Sequence, residues 1–288
     1  MGVDTAALIG EGPAVGDHTE FQVQWDGTVL VGDRWEGPPQ TSQSVVLLHA
    51  AVCDRRSWAH VVPSLRPLAT VVTYDRRGFG DTPPAAGVFS HLEDLRAVLE
   101  ATTTGPAWLV GSSMGGGLAL DAALSAPDRV AGLVLLAPGV SGAPPPDRLD
   151  PATRLLSDAL DRAAQAQDLD LVNRLEIQAW LDGPAAAPGR VGGSARELAL
   201  AMNAVVLRNA VGEDAGRSGV DAWSRLEQVA VPTTITCGDL DVPYLLEHTD
   251  VLARRIPGAR RAGLPGTAHL PYLERPDLVA DLIAEAMH

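Results

Sequence analysis

Ser113, His269 and an aspartate lying between them in the chain are the residue types needed for nucleophilic attack on a carbonyl. A serine hydroxyl is a poor nucleophile at neutral pH and needs a base, and the base needs an acid to orient it. Ser113 occupies the centre of Gly111-Ser112-Ser113-Met114-Gly115, directly after the apolar run WLV and directly before a helix-like segment. A sharp strand-to-helix turn strains the serine backbone and demands small neighbours, which Gly111, Gly115 and Gly116 supply. The hydroxyl would stand at the positive end of a helix, where developing negative charge is favoured. A phosphate cradle would need a G-K-[ST] continuation. The chain has no lysine, so all 22 basic side chains are arginine, which also excludes Schiff-base chemistry.

The order serine, acid, histidine places the base downstream of an acidic residue. His269 stands in Gly266-Thr267-Ala268-His269-Leu270-Pro271, read as a loop after the last short strand. His18 and His288 are near the termini, and His60, His91 and His248 lie in helix-like stretches. The acid follows the strand TTITCG, where Asp239 and Asp241 both stand. Asp241 is favoured because two further residues carry its carboxylate clear of the strand tip; Asp239 is the reserve, and helix capping is the alternative role for either.

These residues require elements to position them. Phe21 to Trp35 alternates in period two around a D-G turn and reads as an antiparallel hairpin. Near-continuous apolar runs at Val45 to His49, Ala69 to Asp75, Ala107 to Ser112 and Val130 to Pro138 read as strands buried on both faces. Helical spacing over Ser57 to Leu65, His91 to Ala101 and Met114 to Ser125 separates them, giving an α/β chain with a mostly parallel sheet. From Asp147 to about Leu226 only helix-like stretches appear, so a helical cap is expected as an insertion. The pattern resumes with a strand from Val231 to Gly238, a helix from Tyr244 to Arg255, a strand around Ala259 to Leu264 and a closing helix from Pro276 to Met287. The domain reading is therefore a core of residues 1–139 and 227–288 and a cap of 140–226.

With His49-Ala50-Ala51 after the first central strand, Asp75-Arg76-Arg77-Gly78-Phe79-Gly80 after the next, then GSSMGG, GDLD and AHLPYLERP, the chain resembles the α/β-hydrolase superfamily over nearly its whole length. The resemblance implies the α/β-hydrolase fold and an acyl-Ser113 intermediate, with His269 as base and Asp241 as acid. It implies oxyanion donors at the backbone N–H groups of Ala51 and Met114, although Ala50 stands where glycine is usual. Relatives that use an aspartate nucleophile carry Asp where Ser113 stands and are excluded. Candidate substrate-binding positions are Ala50, Cys53 and Trp180, the last as an apolar wall in the cap. Asp75 to Gly80 reads as architecture, with Arg76 or Arg77 paired to nearby carboxylates.

The expected substrate is a small-molecule ester or lactone, with no metal and no cofactor. A lyase, cyclase or acyltransferase outcome on the same triad, and a small-molecule receptor with little turnover, are the alternatives. A formal net charge of −14 and a pI near 4.8 repel phosphate backbones and anionic lipid, so neither nucleic acid nor membrane is expected as a partner. Cys53 and Cys237 read as buried thiols. The opening residues lack a basic leader followed by an apolar stretch, and no apolar run reaches the ~18 residues of a membrane span, so a cytoplasmic location is expected.

Overall fold

The computed structural model describes residues 7–11, 18–85, 87–210, 216 and 218–288. Most of the opening stretch read for a leader, and Val211 at the end of the insertion's last helix-like stretch, lie outside the described residues.

The strands are β1 (Ala7–Glu11), β2 (Thr19–Trp25), β3 (Thr28–Trp35), β4 (Ser44–Leu48), β5 (Thr70–Tyr74), β6 (Ala107–Ser112), β7 (Val130–Leu136), β8 (Thr233–Gly238) and β9 (Arg260–Leu264). Among the described residues they form one sheet in the order β1-β2-β3-β5-β4-β6-β7-β8-β9. Strands β2 and β3 form the expected hairpin, closed by Asp26 and Gly27 at φ 43° and 71°, as a two-residue loop matched to strand twist requires. From β5 onward across the sheet every pairing is parallel. Strand β1, which adds antiparallel to β2 with a register shift between Leu8 and Gly10, was not foreseen. ALIGE is five residues long and contains glycine, too short to show a strand alternation of its own.

The helices are α1 (Val62–Leu65), α2 (His91–Thr102), α3 (Met114–Ser125), α4 (Pro151–Gln165), α5 (Leu169–Ile177), α6 (Gly193–Asn209), α7 (Pro243–Arg255), α8 (Pro271–Glu274) and α9 (Pro276–Ala286). The single helix expected over Ser57 to Leu65 is instead a 3₁₀ turn at Arg55–Trp58 followed by α1. Pro63 explains the break, since it has no N–H to donate back across the join.

Side chains alternate across the central strands and divide the core into two layers. Val46, Leu48, Val72, Tyr74 and Leu109 pack against Leu95 and Val98 of α2 and Leu118 and Ala122 of α3. Val45, Leu47, Val71 and Val110 pack on the opposite face against Val62 and Leu65 of α1 and Val279 and Ile283 of α9. Helices on both faces leave only the strand ends open to solvent, which is why β4 and β6 read as unbroken apolar runs. Helices α4 to α6 all lie between β7 and β8 in the chain and pack on one another as an inserted cap. Ala222 and Leu226, at the end of the insertion, join the core layer that contains α3.

Candidate active site

The chain leaves β4 to form β5 on one side and returns to form β6 on the other, so the sheet order reverses at β4. A crevice opens outside the carboxyl ends of the strands at such a point. The loop after β4 carries Ala50 and Ala51 there, and the turn after β6 carries Ser113. Ser113 stands immediately before α3 at φ 53° and ψ −119°, a conformation that costs a non-glycine residue roughly 1–3 kcal/mol. Its backbone is overdetermined: its N–H donates to Leu136 O at 2.9 Å, and its carbonyl accepts from Gly117 and Gly139 at 3.0 and 2.8 Å. Gly111 and Gly115 are required by close approach, because a Cβ on Gly111 would fall 2.2 Å from Gly115 O, and one on Gly115 2.3 Å from Leu48 O.

His269 and Asp241 arrive on the loops after β9 and β8. His269 Nδ1 and Asp241 Oδ2 are 2.7 Å apart, and both residues are buried. A carboxylate accepts only, so Nδ1 carries the proton and Nε2 is left as the basic nitrogen. Asp241 is itself fixed by the Val242 N–H at 2.7 Å and the Cys237 thiol at 3.4 Å. Asp239 is exposed and ties the loops instead, accepting from Gly266 N–H at 2.7 Å. The His269 backbone N–H donates to Trp180 O at 3.1 Å, and the two rings lie 4.6 Å apart. Trp180 sits in a π-helical turn, Gln178–Asp182, that continues α5. Such turns break the regular 3.6-residue stagger and occur often at functional sites.

The loop after β4 is held from beneath by Arg76 and His49. His49 Nε2 accepts from the Arg76 N–H at 3.2 Å, which places the ring proton on Nδ1, 2.8 Å from Ala50 O. Arg76 Nη1 donates to His49 O at 2.5 Å and Nη2 to Ala50 O at 3.2 Å, while Cys53 N–H closes a turn on the same Ala50 carbonyl at 3.2 Å. Burial, reinforced by the Arg76 charge, holds His49 well below its usual pKa and therefore neutral. Burial also lowers Arg76 to about 10, still charged at neutral pH. The expectation of carboxylate partners holds for Arg77, which takes Asp94 at 2.7 Å and Asp26 at 3.2 Å, and not for Arg76.

Two cavities meet at Ser113, Ala51 and Met114, which line both. The smaller, about 270 Å³, is walled by Ala50, Val52, Phe79 and His269 from the core and by Trp180, Glu176 and Leu207 from the cap. Asn203 lies there too, donating to Glu176 at 2.6 Å and Asn173 at 3.0 Å. The larger, about 630 Å³, runs along α3 and includes Arg76, His91, Asp121, Ser141 and Ser218. Ser113, Ala50, Ala51, Met114, Trp180 and His269 are thus brought to one place, with Asp241 behind His269. Cys53 is not: it is fully buried, lines neither cavity, and its thiol receives Tyr272 Oη at 3.6 Å. Burial pushes that thiol up to about 12. Sequence reasoning missed the cap residues Glu176, Asn203, Val206, Leu207 and Ala210. Asn203, Val206 and Leu207 share one face of α6, where a polar residue among apolar ones was a usable signal, and Ala210 caps its end.

A mostly parallel sheet clad on both faces, with a strained serine at its carboxyl edge and a buried histidine–aspartate pair beside it, defines the α/β-hydrolase class. The chain matches the alpha/beta hydrolase family over residues 45–282, and it belongs to that family. It is 26% identical over 277 residues to a protein of Bacillus subtilis (strain 168) named "Putative 2-succinyl-6-hydroxy-2,4-cyclohexadiene-1-carboxylate synthase", spanning 90% of this chain and 96% of that one. It is 28% identical over 249 residues to a pimeloyl-[acyl-carrier protein] methyl ester esterase of Neisseria meningitidis serogroup A, spanning 85% of this chain and 76% of the relative. Among solved structures it is similar in fold to Est816, titled an N-acyl homoserine lactone degrading enzyme, with TM-score 0.71 and 24% identity over 92% of this chain and 99% of that one. No helix among the described residues is long and apolar enough to cross a membrane.

Proposed function

We propose that this protein is a serine hydrolase that cleaves a small-molecule carboxylic ester, lactone or similar acyl bond through an acyl-Ser113 intermediate. The observation that carries the reading is the buried His269–Asp241 pair at 2.7 Å, with His269 and Ser113 lining one cavity. His269 Nε2 takes the Ser113 proton as Oγ attacks, then returns it to the leaving oxygen; a water activated by the same nitrogen releases the acid. Asp241 fixes the tautomer and stabilises the imidazolium. The N–H groups of Ala51 and Met114 receive the oxyanion, and Met114, as the first residue of α3, has an N–H with no intrahelical acceptor. Each such donor is worth about 3–4 kcal/mol in the transition state. The cap walls one side of the smaller cavity. A fluorophosphonate should add once to the wild type and not to Ser113→Ala, with short 4-nitrophenyl esters turned over only by the wild type. Folded wild-type protein that takes no label would overturn the reading.

The synthase name of the Bacillus subtilis relative supports a second outcome on the same three residues, in which a cofactor-free elimination or cyclisation replaces hydrolysis. Product masses separate them, since hydrolysis products sum to the substrate plus one water, whereas the two products of an elimination sum to the substrate alone and a cyclisation leaves its mass unchanged.

A further inference from the structure

The larger cavity holds a cation whose charge acyl transfer does not use. Arg76 lines it and is 1% exposed, yet among the described residues no carboxylate lies within ion-pair distance of its guanidinium. Its Nη groups donate to the carbonyl oxygens of His49 and Ala50, and its Nε–H has no acceptor. The neighbouring arginines differ: Arg55 is held by Asp75, Asp33 and Asp81, and Arg77 by Asp94 and Asp26. His91, the first residue of α2, lines the same cavity at 5% exposure with neither ring nitrogen hydrogen-bonded. Asp94 is 3.9 Å from its Nδ1, beyond hydrogen-bond reach, and is engaged by Arg77. A buried cation without a counter-ion and a buried imidazole without a partner are both unfavourable unless something completes them.

The cavity's own acids do not complete them. Asp121 is taken by the hydroxyls of Ser141, at 2.7 Å, and Ser218, and lies two turns along α3, about 12 Å from Ser113 by helical rise. Asp221 lies against Gly142.

We propose that the larger cavity is a subsite for a carboxylate carried by the substrate, received by the Arg76 guanidinium and one N–H of His91, so that the preferred substrates are acid-bearing esters. The proposal rests on the acyl-Ser113 reading, with the ester carbonyl at the junction of the two cavities and the free carboxylate in the larger one. Neutral His91 donates from one ring nitrogen, and Arg76 supplies the charge.

Binding and turnover test this separately. Calorimetry on the Ser113→Ala protein with glutarate, and with neutral glutaramide as control, reads the subsite without chemistry. Glutarate should bind at least about tenfold more tightly. Arg76→Gln should weaken it about 10- to 100-fold, the range for a hydrogen bond to a charged group, and His91→Ala should weaken it less. Turnover is read as the ratio of kcat/KM for mono-4-nitrophenyl glutarate to that for 4-nitrophenyl butyrate. The ratio should exceed about ten in the wild type and collapse in both variants, even though Arg76→Gln also loosens the loop after β4 and slows both esters. Equal affinity for glutarate and glutaramide, or a ratio that neither variant moves, overturns the subsite. Should Arg76→Gln fail to fold, wild-type discrimination and His91→Ala decide. Selective glutarate binding in a protein that hydrolyses neither ester supports the subsite while sinking the hydrolase reading.

Discussion

Asp239 and Asp241 are two positions apart and chemically identical, and their surroundings give them different work. Asp239 is exposed and braces Gly266, whereas Asp241 is buried, bonded to the Val242 amide and 2.7 Å from His269 Nδ1. Asp241→Asn keeps the shape and an acceptor for Val242 but cannot stabilise an imidazolium, so kcat should fall by about 10⁴-fold. Stability should change by about 1–2 kcal/mol, read as a Tm shift of a few degrees. Asp239→Asn should retain near-normal turnover, and steady-state kinetics on the two variants decides between them. A collapse with Asp239→Asn and normal rates with Asp241→Asn would move the acid. The neighbouring pair Ser112 and Ser113 was separable in the sequence because a strand-to-helix turn has a fixed register. Arg76 and Arg77 were not, because which of two adjacent side chains meets a carboxylate depends on α2, which is remote in the chain.

At the scale of elements, the buried strands and the helices between them were legible because a sheet covered on both faces writes continuous apolar runs into the sequence. The cap's helices were legible, and what they present to the site was not, since α5 and α6 become walls only when packed against the core. The tie between cap and core runs through Asp182, at the end of the π-helical turn that places Trp180 over His269. Asp182 accepts from the Gly189 and Val191 N–H groups at 2.8 and 2.9 Å and from Arg196. Arg190 donates from Nε to the Asp182 carbonyl at 2.7 Å and from Nη2 to Glu274 at 2.6 Å, and Glu274 also accepts from the Ala268 N–H at 2.7 Å. The cap loop and the loop bearing His269 are therefore one hydrogen-bonded unit. Asp182→Ala leaves two amides and a half-buried guanidinium without their acceptor and should cost about 2–4 kcal/mol. Turnover should fall with it, as His269 and Trp180 lose their common support. Denaturant unfolding and steady-state rates measure both effects, and unchanged stability would show that the loop does not depend on this carboxylate.

At the scale of the whole molecule, the formal charge of −14 opposes the approach of the anionic substrates that the Arg76 subsite would select. The two effects act over different distances. Surface charge acts through water and is screened over about 10 Å at 0.1 M salt, whereas a buried pair is screened far less. Added salt should therefore relieve the long-range repulsion while leaving the contact between guanidinium and carboxylate largely intact. For mono-4-nitrophenyl glutarate, kcat/KM should rise roughly two- to fivefold between about 10 mM and 300 mM salt, as expected for like-charged encounter. For neutral 4-nitrophenyl butyrate it should stay nearly flat. The sign is the informative part: a rise confined to the anionic ester means that the molecule's mean field governs encounter and the cavity alone supplies selectivity. A fall with salt would mean that the approach to the cavity is locally positive despite the overall charge, with exposed arginines drawing the anion in before Arg76 receives it.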